Sequence, residues 1–147
     1  MYERILVATD GSPLSDKAVS HALSIAKMNQ AILIALKVVP RYPRSYLEGG
    51  ATVDPSEIKR IEAQWTEQAQ AVLNKIKTDG KAIGVTVKTS VAKSDLIAES
   101  IISAAAKQNA DLIVMASHGR KGLKRLLLGS ETQHVLTHSE VPVLVLR

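Results

Sequence analysis

Arg4-Ile5-Leu6-Val7-Ala8-Thr9, followed by the turn Asp10-Gly11-Ser12 and then Pro13, decides the fold class. A continuous apolar run closed by turn residues reads as a strand covered on both faces, as in parallel sheets flanked by helices. The turn hands over to a helix: Ser12 stands at the N-cap position and Pro13 at the first helical position. Ala18, Val19, Ala22, Ile25 and Ala26 follow at helical spacing and mark one apolar stripe.

The rest of the chain repeats this alternation. Ala31 to Val39 is a second, nearly all-apolar run that stops at Pro40. Residues 40 to 54, carrying Pro40, Pro43, Gly49 and Gly50, read as a loop. Asp54-Pro55-Ser56-Glu57 starts a long helix, with a cap, a proline at N1 and a reciprocal acid at N3. Ile58, Ile61, Trp65, Ala69, Val72 and Ile76 mark its face. Val85, Val87, Thr89 and Val91 alternate with polar residues, which predicts a half-buried edge strand. Ser94 is the expected cap of a third helix running to Asn109, and Leu112 to Ala116 is a fourth strand. A glycine-bearing loop, a short helix from Ser130 to about His138 and a last strand from Val141 to Leu146 complete the chain. The expectation is a single α/β domain over residues 1–147: a doubly wound, parallel, five-stranded sheet of order 3-2-1-4-5 with helices on both faces.

Composition narrows the classes of function. The chain has 147 residues, no cysteine, 46% apolar and 22% charged residues, which suits one globular domain without disulfides or thiolate metal sites. The opening apolar run is too short for a signal-peptide core, and no stretch approaches the roughly 18 apolar residues of a membrane span. A cytoplasmic location without membrane insertion is expected. The net charge of +5 raises a nucleic-acid reading, but with one Trp, three Tyr and no Phe the stacking platforms are missing. The basic excess, densest at Arg120, Lys121, Lys124 and Arg125, reads as solvated surface.

In a sheet of this order, ligands bind beyond the carboxyl ends of the strands at the switch point, between strands one and four. There Ala8-Thr9-Asp10-Gly11-Ser12 faces Ala116-Ser117-His118-Gly119 and, after nine residues, Gly129-Ser130. Gly119 and Gly129 are expected to take positive φ and to let backbone approach a ligand. Ser130-Glu131-Thr132-Gln133 has a capping-box pattern, so a helix start with anion-attracting N–H groups is expected there. His134 and His138 lie at i, i+4, a possible metal pair. A solvated helix face is the expected reading.

Taken together, these segments resemble the universal stress protein family. The resemblance rests on Ile5 to Ser12, on Met115 to Gly119 with Gly129-Ser130, and on the closing Val141-Pro142-Val143-Leu144-Val145. Nucleotide-binding members carry Gly-x2-Gly-x9-Gly-[Ser/Thr]; this chain has Ala116, Gly119, Gly129 and Ser130 at those positions, so only the first departs. Alanine at 116 is tolerated on extended backbone, and costs about 1 kcal/mol or more if φ is positive.

The resemblance implies ATP, or AMP or ADP, as ligand, with Mg2+ or Mn2+ on its phosphates. It implies that Ala8 and Thr9 line base and ribose, and that Asp10 meets a ribose hydroxyl or a phosphate-bound metal. Val38 would offer backbone groups to adenine, and Met115, Ala116, His118 and Gly119 would border the ribose and α-phosphate. Gly129, Ser130, Glu131 and Thr132 would present N–H and hydroxyl groups to the phosphates, Glu131 being awkward because its carboxylate repels them unless it points outward. It implies a homodimer through Val141, Val143, Leu144, Val145 and Leu146, with higher oligomers and the protein partner left open. The apolar edge strand points the same way. The P-loop, the Gly-x-Gly-x-x-Gly fingerprint, the Gly-x-Ser-x-Gly elbow and paired catalytic carboxylates are all missing. The expected function is an ATP-binding regulatory, stress-response protein with little or no catalysis. The alternatives are a member that has lost the nucleotide and acts through dimerisation, and a slow ATPase or nucleotidyl-transfer enzyme.

Overall fold

The computed structural model describes residues 1–43, 53–119 and 127–147. Its elements are β1 (Arg4–Ala8), α1 (Pro13–Asn29), β2 (Ile32–Val39), α2 (Pro55–Ala82), β3 (Val87–Lys93), α3 (Ile97–Lys107), β4 (Leu112–Ala116), α4 (Ser130–His138) and β5 (Val143–Leu146). All pairings are parallel and the order is β3-β2-β1-β4-β5, as the alternation predicts. β1 lies at the centre, in register with β2 from Arg4 opposite Ile32 and with β4 from Ile5 opposite Leu112.

Alternate side chains of each strand point to opposite faces, and here each face has its own core. Ile5, Val7, Leu33, Ala35 and Val114 pack with Ala18, Ala22 and Ala26 of α1 and with Leu73 and Ile76 of α2. Leu6, Ile34, Leu36, Ile113 and Met115 pack with Ala98, Ile101 and Ala105 of α3 and with Val135 of α4. Two helices per face bury strands of unbroken apolar sequence, so the sheet is doubly wound. No helix among the described residues is long and apolar enough to cross a membrane.

Several expected boundaries move. β3 begins at Val87, not Val85, because the Val85 N–H donates to Gly80 O at 2.8 Å and closes the end of α2. β5 begins at Val143. Val141 and Pro142 precede it, although the Pro142 carbonyl still accepts the Ile113 N–H at 2.9 Å. On α2, Ala69, Leu73, Ile76 and Gly80 are buried. Ile58, Ile61 and Trp65 are only half-buried, and Trp65 stacks on Tyr42 with ring centroids 6.2 Å apart. Asp54 caps α2 through Ser56 as expected, but Glu57 pairs with Arg60 at 3.7 Å. Ser94 does not cap α3: the N-cap is Leu96, without a side-chain bond, and the Ser94 hydroxyl accepts the Leu96 N–H instead. Gly49-Gly50 and the cluster Arg120, Lys121, Gly122, Lys124 and Arg125 lie outside the described residues.

Candidate nucleotide cleft at the switch point

The turn after β1 is built by its own side chains. Gly11 has φ 78, which only glycine takes without strain, and the Ser12 N–H reaches back to Asp10 Oδ1 at 2.9 Å. The Ser12 hydroxyl accepts the Ser15 N–H at 3.2 Å and so caps α1. Thr9, buried, has its hydroxyl 3.0 Å from that of Ser15 and accepts the Gly11 N–H at 3.1 Å. Lys37 Nζ donates to the Asp10 carbonyl at 3.1 Å, tying the turn to β2. These bonds fix the Asp10 carboxylate at the carboxyl end of the sheet.

Across the crevice, α4 is pinned to the end of β4. The Gly129 N–H donates to Ser117 O at 2.8 Å, and the Thr132 hydroxyl donates to the Ala116 carbonyl at 3.0 Å. The Ser117 hydroxyl lies 3.1 Å from His118 Nδ1. The N-cap of α4 is Gly129, not Ser130, so the expected capping box does not form, and Gln133 reaches the Leu128 carbonyl at 3.1 Å instead. No side chain among the described residues caps α4, which leaves the N–H groups of Ser130, Glu131 and Thr132 for water or a ligand. The Gly129 N–H and the Thr132 hydroxyl proton, both expected to face phosphates, are instead engaged in holding the helix.

Two further expectations on backbone are corrected. Gly129 has φ −61, and Gly119 is absent from the left-handed region, which among the described glycines holds Gly11 and Gly84. Glycine serves space at these positions: a Cβ on Gly119 would meet Asp10 Oδ2 at 2.8 Å, and one on Gly129 would meet Ser117 O at 3.3 Å. Ala116 lies on β4 with extended backbone and no positive φ, so its methyl carries no conformational cost.

Ala8, Thr9, Asp10, Val38, Met115, Ala116, His118, Gly119, Glu131 and Thr132 meet in one cleft of about 150 Å³. Gly129 and Ser130 do not line it. Ser15, Leu36, Ile97 and Ile101 do, and no local motif marks them. They arrive through packing, since α1, β2 and α3 converge there. The walls from Leu36, Val38, Ile97, Ile101 and Met115 are apolar, suited to a flat heterocycle, while the polar groups gather at the β1 and α4 ends. A larger depression of about 470 Å³ between β3 and α3 lies off the switch point and contains none of these residues.

His134 and His138 sit with ring centroids 4.3 Å apart, and His134 Nε2 is 3.6 Å from Glu99 Oε1, an acidic neighbour the local sequence did not reveal. No group of three metal-ligating side chains that could hold an ion occurs among the described residues.

The universal stress protein family model matches residues 1–147. The chain belongs to the universal stress protein family. It is 36% identical over 148 residues to universal stress protein MJ0531 of Methanocaldococcus jannaschii, covering 100% of this chain and 83% of that protein. The solved structure of MJ0577 from the same organism superposes with TM-score 0.77 at 30% identity, over 99% of this chain and 96% of that one. A universal stress protein solved in complex with cAMP superposes with TM-score 0.72 at 25% identity, over 99% of this chain and 97% of that one.

Proposed function

We propose that this universal stress protein is a regulatory adenine-nucleotide-binding protein with little or no catalysis, acting in the cytoplasm as a homodimer. One observation carries the reading: the two segments at the switch point close on a single cleft, with apolar walls and edged by a helix start that no described side chain caps. The cAMP complex of a similar family member supports an adenine ligand in this family. Ala116 was the one departure that favoured a member without nucleotide, and its extended backbone removes the conformational ground for that alternative.

In this reading Ala8, Val38, Met115 and Ala116 hold base and ribose, Asp10 meets a ribose hydroxyl or a phosphate-bound metal, and His118 and Gly119 border the α-phosphate. The N–H groups of Ser130, Glu131 and Thr132 face the phosphates. Mg2+ or Mn2+ would neutralise the phosphates. Turnover would need a general base, and Asp10 is engaged in the turn while His118 leans on Ser117.

The test is thermal unfolding with ligand, since a molecule that binds only the native state raises the melting temperature. ATP with Mg2+ should raise it, and adenosine much less. Nucleotide recovered by mass spectrometry from denatured, purified protein would agree. No shift with either ligand at millimolar concentration overturns the reading.

A further inference from the structure

Glu131 occupies the first turn of α4, yet its carboxylate does not serve that helix. Its Oε2 accepts the Ala98 N–H at 2.9 Å, in the first turn of α3. That helix lacks a side-chain cap of its own, because its N-cap residue is Leu96. The carboxylate thus supplies the missing cap from across the cleft mouth, and its negative charge compensates the positive end of the α3 dipole. The same side chain lines the cleft, as does Asp10, whose Oδ1 is held by the Ser12 N–H. Among the described lining residues the carboxylates are those of Asp10 and Glu131.

A ligand entering between them meets a field that depends on its own charge. A neutral nucleoside meets none of the repulsion, whereas a polyanion meets the Glu131 carboxylate and finds the α3 terminus already compensated. We propose that Glu131 is the charge-selectivity residue of the cleft: it penalises the uncompensated phosphate charge of a nucleotide that carries no metal. A nucleotide whose phosphates carry a divalent cation binds ahead of the same nucleotide without metal. This rests on the reading of the cleft as a nucleotide site. Glu131 is exposed, so water and salt screen the repulsion, and the effect is several-fold rather than absolute.

The experiment is calorimetric titration of the full chain with adenosine, with ATP in a chelator, and with ATP in excess Mg2+. Wild type is compared with Glu131→Gln, whose amide oxygen can still accept the Ala98 N–H, so that only the charge is lost. Removing the charge should tighten metal-free ATP about fivefold, Mg-ATP less, and adenosine not at all, with the gain shrinking at high salt. Wild type alone should bind Mg-ATP more tightly than metal-free ATP. Equal changes for all three ligands, or metal-free ATP bound by wild type as tightly as Mg-ATP, would overturn the charge role while leaving the nucleotide site standing. Absence of binding by all three ligands would overturn both.

Discussion

A Cβ built on Gly80, inside α2, would meet Val87 Cγ2 at 2.3 Å and both Leu23 Cδ2 and the Val85 carbonyl at 3.3 Å. Glycine weakens a helix interior by about 1 kcal/mol relative to alanine. Crowding a packed core costs about 1–3 kcal/mol, and here backbone stands behind the side chains. Crowding therefore wins, and Gly80→Ala should lower stability by roughly 1–2 kcal/mol in urea unfolding; a stabilised variant would show that β3 yields easily. Gly119 gives the opposite case. Among the described residues its added methyl would press on Asp10 Oδ2, the far end of a side chain rather than backbone. Gly119→Ala should leave the melting temperature nearly unchanged but weaken nucleotide binding by displacing that carboxylate. Unchanged affinity would remove Asp10 from the site.

At the scale of elements, what was legible in the sequence was what neighbours in the chain decide. The apolar runs, Ser12-Pro13 and Asp54-Pro55 carry local signals, and the strands and helix starts they predict are present. Ser94 misled because the cap of α3 comes from Glu131, 33 residues away. Thr132 misled because its hydroxyl serves the Ala116 carbonyl of β4. Ile97 and Ile101 joined the cleft by packing, which no spacing encodes. Of the proposed ligand set, ten positions converge and two, Gly129 and Ser130, do not, since the first of them is engaged in anchoring the helix.

The local signal at Asp54 makes a prediction at the same scale. Its carboxylate accepts the Ser56 N–H at 2.9 Å, and that backbone bond, followed by the Ser56 hydroxyl, holds its pKa below the ordinary value. A depressed pKa in the folded state means that the cap acts at neutral pH and is lost as pH falls through the folded-state value, below the usual carboxylate range. Asp54 is fully exposed, so the loss should be local: the first turn of α2 frays while the sheet stays intact. Amide exchange at Ser56 followed by NMR through the acid range should show this step, and Asp54→Asn should lack it. A pH-independent Ser56 amide in wild type would contradict the cap.

For the whole molecule, the question is what covers β5. It is an edge strand of four apolar residues, Val143 to Leu146. Its ladder to β4 uses the carbonyls of Pro142 and Leu146, so by the alternation of a parallel pair the backbone groups of Val143 and Val145 point to the open edge. An unguarded apolar edge invites pairing, and two copies related by a two-fold axis can satisfy it antiparallel. Four residues a side fall short of the roughly 1,200–2,000 Å² of a stable interface, so neighbouring apolar surface must contribute. Leu144, 36% exposed, and Leu136 of α4, 41% exposed, are candidates to supply it. Val141 stands outside the strand and packs toward the core with Val143, so lysine at either position would damage the fold as well as the interface. Leu144→Lys is the cleaner probe, because its side chain already meets water. It should give monomers in light scattering at micromolar concentration, with a melting temperature that no longer depends on protein concentration. Wild type that is monomeric under the same conditions would show that β5 pairs with no copy of itself, and dimers that persist in Leu144→Lys would move the interface to another face.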